Sequence, residues 1–102
     1  MLLLQMFLPI YDQKGAPFPS QHFLDLRQEL TEKFGGVTNY SRSPVKGLWK
    51  EADNSVVADE MIIYEIMIEE LDTAYWNRLK ITLQDLFRQD EILMRYHEIS
   101  KV

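Results

Sequence analysis

Along this chain the hydrophobic residues change their spacing in one order: strand-like, helix-like, strand-like, strand-like, helix-like, strand-like. Alternation with a period of two marks a half-buried strand, and a period near 3.6 marks an amphipathic helix. The order is therefore βαββαβ, the split βαβ plan. That plan closes a four-stranded antiparallel sheet and places both helices on one of its faces. The other face is left to meet water, a ligand or a second copy of the chain.

The segments can be placed residue by residue. Residues 2 to 11 form a short apolar run closed by Pro9 and the turn-rich Asp12-Gln13-Lys14-Gly15-Ala16-Pro17, which predicts a first strand. Leu2, Leu4, Met6 and Leu8 are its fully apolar set and should face the helices; Gln5 interrupts the other set, between Leu3 and Phe7. Phe23, Leu26, Leu30 and Phe34 recur at helical spacing, with Ser20 as the expected N-cap and Gly35-Gly36 as the stop. Asp25, Arg27, Gln28, Glu29 and Glu32 supply the wet face of that helix, and His22, near its start, reads as a solvated or capping residue. Val37-Thr38-Asn39-Tyr40 opens a second strand, which Pro44 and Gly47 should bend or bulge at a sheet edge before Leu48-Trp49-Lys50. After a turn at Ala52-Asp53-Asn54-Ser55, Val56 to Glu69 alternates most clearly, with Ile62, Tyr64, Ile66 and Ile68 on one side and Asp59, Met61, Ile63, Glu65, Met67 and Glu69 on the other. Asp72 or Thr73 can cap a second helix carrying Trp76, Leu79, Leu83, Leu86 and Phe87 to about Arg88. Glu91 to Ile99 returns to a strand. The expectation is a single ferredoxin-like α+β domain over residues 1–102, with two helices on one face of a four-stranded antiparallel sheet.

Composition narrows the function. A chain of 102 residues, 46% hydrophobic, can bury one core with little to spare. Its net charge of -5 argues against nucleic acid, whose affinity rests on Lys and Arg neutralising phosphates. There is no cysteine, so disulfides, thiolate catalysis and the common zinc frameworks drop out together. No ligand spacing among the two histidines and the scattered carboxylates points to a metal, and no cofactor fingerprint is present. The apolar start lacks the basic flank and small-residue cleavage site of a signal peptide, and no run approaches the roughly 20 residues of a membrane helix. A cytoplasmic protein with no membrane partner is expected.

Assigning faces yields one constellation. The open face should collect Gln5 and Phe7 from the first strand, Met61, Ile63, Glu65 and Met67 from the third, and Leu93, Arg95 and His97 from the last. With the first and third strands central and the last beside the first, Glu65, Gln5 and Arg95 or His97 fall in a row, and Glu65 should find its partner in Arg95 or His97. Two functions follow. An apolar open face is most simply covered by self-association, in a homo-oligomer that is expected to be a dimer. Alternatively, a cavity against that face forms the site of a cofactor-free enzyme for a small hydrophobic or aromatic substrate. There His97 is the acid or base, Glu65 its charge partner, Arg95 an anion stabiliser, and Tyr40, Tyr64 and Gln5 polar contacts. Separately, Arg42, Lys46 and Lys50 concentrate positive charge around Pro44 and Gly47, where an anion would bind or where charges simply guard an edge.

The run Phe34-Gly35-Gly36-Val37-Thr38, then Gly47-Leu48-Trp49, then Asp59-Glu60 opening a long strand, resembles a group of small uncharacterised bacterial proteins with a ferredoxin-like fold. The resemblance spans about Ser20 to His97 and implies the fold and oligomerisation; it carries over no catalytic residue. The wider group includes PII-like trimers and dimeric α+β-barrel proteins. The chain departs from PII proteins in lacking a long effector loop and from haem-degrading members in lacking a haem-ligand motif.

Overall fold

A computed structural model describes residues 1–50, 52–54 and 56–102, with side chains for all of these except 41–45, 49 and 56–58. The side chains of Arg42 and Trp49, and Ser55 of the expected turn, lie outside the described residues. The elements run β1 (Leu2–Pro9), α1 (Ser20–Phe34), β2 (Thr38–Lys50), β3 (Val56–Ile68), α2 (Thr73–Leu86) and β4 (Met94–Glu98). They form the expected ferredoxin-like α+β fold: a four-stranded sheet ordered β2-β3-β1-β4 in which every neighbouring pair is antiparallel.

Strand alternation decides which face is dry. Leu4, Met6 and Leu8 of β1 and Ile62, Tyr64, Ile66 and Ile68 of β3 are buried. They meet Leu26 and Leu30 of α1 and Trp76, Leu79 and Leu83 of α2, so the core lies between the helices and one sheet face. Phe87, just past α2, also turns inward. Leu86, expected on the apolar stripe, is instead exposed, because one further helical turn from Leu83 falls on Phe87. Trp76 stacks on Phe34 at 5.2 Å between ring centroids and meets Tyr75 edge-on. Its buried indole N–H has no acceptor among the described residues.

The helix ends were partly misplaced by sequence. Ser20 is the first helical residue and makes no capping bond; Pro19 holds the cap position, and its carbonyl accepts from the His22 N–H at 3.1 Å. Pro19 sits at φ -56 and ψ 138, an extended conformation from which the chain enters the helix one residue earlier than a serine cap would allow. His22 is no solvated cap either, since its ring packs edge-on against Phe87 and also meets Phe18. Gly35 ends α1 as expected, at φ 84, donating its N–H to the Thr31 carbonyl at 2.8 Å. Asp72 caps α2 by accepting from the Tyr75 N–H at 3.2 Å.

Two strands differ in outline from expectation. β2 lies at an edge, and its register with β3 jumps from Tyr40↔Ile63 to Val45↔Met61, so residues 41–44 stand opposite Ile62 alone. This is the expected bulge. β4 begins at Met94 rather than Glu91, because the preceding residues are held to α2: Gln84 donates to the Asp90 carbonyl at 2.6 Å, and Lys80 pairs with Glu91 at 2.6 Å. Ladder bonds from Phe7 to Leu93 and from Ile99 to Met1 still carry the β1–β4 pairing one residue beyond each end. Among the described residues no helix is long and apolar enough to cross a membrane.

Candidate functional site

The face of the sheet opposite the helices carries the residues that alternate with the core. In β1 these are Leu3, Gln5 and Phe7; in β3 they are Met61, Ile63, Glu65 and Met67; in β4 they are Arg95 and His97; at the start of β2 they are Thr38 and Tyr40. The face is apolar in the main. Leu3, Phe7, Met61 and Ile63 are half-buried, while Met67 is 52% and Leu93 48% exposed.

One row crosses it from edge to edge. The register aligns Thr38 with Glu65, Glu65 with Gln5, and Gln5 with Arg95. The Gln5 amide nitrogen donates to Glu65 Oε1 at 2.7 Å, and the Arg95 Nε–H donates to Gln5 Oε1 at 2.9 Å. From the neighbouring row, the Tyr40 hydroxyl donates to Glu65 Oε2 at 3.2 Å. The guanidinium carbon of Arg95 also sits 4.8 Å from the centre of the Phe7 ring, a cation–π distance. Tyr40, Glu65, Gln5 and Arg95 thus form one hydrogen-bonded chain over all four strands. The Gln5 amide can serve in only one orientation, with its oxygen toward the guanidinium and its nitrogen toward the carboxylate.

This chain corrects the expected partnership of Glu65. Its direct partners are Gln5 and Tyr40, not Arg95 or His97. The reason is spacing: β1 lies between β3 and β4, and two strand separations make about 10 Å, so Glu65 reaches Arg95 only through the amide in between. His97 lies in another row, opposite Leu3, which is opposite Met67. It is exposed and has no hydrogen-bond partner among the described residues. The Glu65 and His97 pairing that the enzyme reading needs is therefore not formed. The Glu65 charge raises the Tyr40 phenol above its ordinary value, with the hydrogen bond and slight burial acting the same way.

The remaining sequence candidates scatter. Tyr64 belongs to the helix-facing side, 2% exposed, with its hydroxyl 3.5 Å from the Phe23 carbonyl, so it does not join the row. Burial raises its phenol, and the nearby Arg27 charge partly offsets this. Lys46 and Lys50 are exposed on one side of β2, opposite Glu60 and Val56. Four residues at strand rise separate them by about 13 Å, too far for one small anion without both side chains leaning together. Among the described residues no group of three or more His, Asp or Glu side chains is placed to hold a metal ion.

Sequence reading missed Arg27. Placed there on the wet face of α1, it is half-buried and lines a groove with Ser20, Phe23, Leu24, Asn39, Ile62 and Tyr64. The signal was present: position 27 lies four after Phe23 and three before Leu30, on the flank of the buried stripe.

No known protein-family profile matches the chain, and no curated protein sequence matches it. Solved structures do. A phage SAM lyase in complex with S-methyl-5'-thioadenosine superposes with a TM-score of 0.64 at 12% identity, over 95% of this chain and 80% of that one. CutA1 from Pyrococcus horikoshii OT3, in a mutant form, superposes with a TM-score of 0.62 at 12% identity, over 100% of this chain and 86% of that one. At such identities the likeness establishes a shared fold: the chain is a small ferredoxin-like α+β protein.

Proposed function

We propose that this protein is a small binding or regulatory module that self-associates through its open sheet face, as a dimer of two such faces. The observation that carries the reading is the pairing of polar groups within that face. Covering an apolar surface is favourable at about 25 cal/mol per Å², but a buried unpaired charge would oppose it. Here the one carboxylate in the middle of β3 already accepts from Gln5 and Tyr40, and Arg95 already donates to Gln5 and rests on Phe7. The seam already meets much of the hydrogen-bonding need of Glu65 and the Nε–H of Arg95 within one subunit, and the apolar residues flanking it gain from cover. Identical faces related by a two-fold axis are the commonest way to supply that cover.

Light scattering on the purified protein at high micromolar concentration tests the reading. The expected result is an oligomer, and a strictly monomeric protein overturns it. Met67→Lys should weaken assembly about tenfold or more, the loss of one buried Met side chain. Because Met67 is 52% exposed within a subunit, the thermal stability of the monomer should change little. An assembly indifferent to both Met67→Lys and Leu93→Lys would place the contact elsewhere.

A further inference from the structure

On the opposite side of the sheet from the proposed self-association face, we infer a second site: the groove between α1 and β3 binds a small amphipathic monocarboxylate, with its acid group on Arg27 and Tyr64 and its apolar part against Phe23, Leu24 and Ile62.

Arg27 is the starting point. The chain has 16 acidic residues against 11 basic ones, so a cation that is drawn out of water has no shortage of acidic partners to choose from. Among the described residues, Lys80 pairs with Glu91, Arg88 with Asp12, Arg95 with Gln5 and Phe7, and Lys33 sits over the Tyr75 ring. Lys14, Lys46, Lys50, Arg78 and Lys101 are exposed to water. Arg27 alone among these cations is half-buried with neither an ion pair nor a hydrogen bond. A half-buried arginine without a partner gains from a carboxylate, which its guanidinium can hold by two parallel N–H bonds.

The surroundings match an acid with an apolar body. Among the described residues the Tyr64 hydroxyl is held only by a 3.5 Å contact to the Phe23 carbonyl, at the limit of a hydrogen bond, so its proton can be redirected to a ligand oxygen at little cost. Arg27 and Tyr64 line the same groove, and the charge of Arg27 acts on that phenol. Ser20 stands at the rim with a hydroxyl that caps nothing. Phe23 is half-buried, Ile62 is buried and Leu24 is 46% exposed, which gives the groove its apolar wall. A long side chain on a helix leans toward the preceding turn, so Arg27 lies over Phe23 and Leu24 rather than away from them.

Volume and charge narrow the class. The groove is open and offers about 270 Å³, just below the span of sites for drug-sized ligands, which suits a small ligand better than a nucleotide or a large cofactor. One guanidinium balances one carboxylate. A phosphate dianion would leave a charge uncompensated in a chain of net charge -5.

The test is a titration of the isotopically labelled full chain with 3-phenylpropionate, followed by nuclear magnetic resonance. Saturable shifts centred on Phe23, Leu24 and Tyr64 are expected. Arg27→Met should weaken binding about tenfold or more, as loss of a charge-assisted contact requires, while its spectrum outside the groove stays superposable on the parent's. Arg27→Lys, which keeps the charge without the fork, should bind more tightly than Arg27→Met. The uncharged 3-phenylpropanol should bind the parent protein no better than the acid binds Arg27→Met. Absence of saturable shifts, or equal binding of acid and alcohol, overturns the inference. So does equal binding by the parent and by both variants. None of these readouts depends on the oligomeric state, so failure here and failure of the self-association reading are separate results.

Discussion

At the scale of single residues, Glu65 shows how far alternation reaches. A carboxylate between Ile63 and Met67 had to have company, and the period-two pattern put Gln5 and Arg95 on the same face. What alternation cannot supply is distance across the sheet. The pattern names a face, whereas the partner depends on which strand intervenes, and β1 makes that Gln5. Tyr64 fell to the same limit: its odd-even position places it with the core, apart from Glu65, whatever its chemistry suggests. Arg27 was obscured because a flanking position on a helix reads as wet until the neighbouring strand is known. A specific expectation attaches to Glu65→Gln. The new amide can still accept from Gln5 and can donate to the Tyr40 oxygen, so the chain survives while two charge-assisted bonds become neutral ones. The cost to stability should be about 1 kcal/mol. Removing the charge should also bring the Tyr40 phenol down toward its ordinary value, since the Glu65 charge is the main cause of its elevation. Ultraviolet titration of the phenols, with Tyr40→Phe as the reference, would read this. An unchanged Tyr40 titration would contradict the hydrogen-bonded chain.

Elements were legible where their signals were local. The Gly35-Gly36 stop, the Asp72 cap and the bulged edge strand each depend on a few adjacent residues, and each stands where the sequence put it. The boundaries that moved depend on something farther away. The start of α1 shifted by one residue because Pro19 takes the cap position, and β4 starts late because α2 holds residues 90 and 91. The two glycines separate conformational from steric causes. Gly35 adopts φ 84 and Gly36 does not share that conformation, and a Cβ on either would meet no atom within 4 Å. Gly35→Ala should therefore destabilise by about 1–2 kcal/mol, from backbone strain alone. Gly36→Ala should be neutral or slightly stabilising, because it only restricts the unfolded chain. Urea denaturation of both variants is sufficient. Equal effects would mean that the left-handed turn does not end the helix.

For the whole molecule, the fold was readable because six periodic segments and their order leave few topologies to choose from. The role of the open face was less so, since one chain's pattern says that a face is apolar and nothing about what it meets. Alkaline stability is also a property of the entire structure, because three of its tyrosines are perturbed in one direction. The Tyr75 phenol is raised most, by burial first and then by its 2.7 Å hydrogen bond to Glu29; burial raises Tyr64, and the Glu65 charge raises Tyr40. In each case the folded value lies above the unfolded value near 10. Their contribution is then complete below pH 10 and is lost as pH rises through the folded values, because the unfolded chain releases its phenolic protons first and binds fewer than the folded one. Stability should fall steadily above about pH 10. Tyr75→Phe cannot ionise and also lacks the bond to Glu29, so it should start less stable at neutral pH and decline less steeply. The curves for the two proteins should converge in alkali. Urea midpoints measured from about pH 8 to about pH 11 would show this, with the difference between the curves cancelling the lysines that titrate in both. Parallel curves would mean that Tyr75 is neither buried nor bonded to Glu29 in solution.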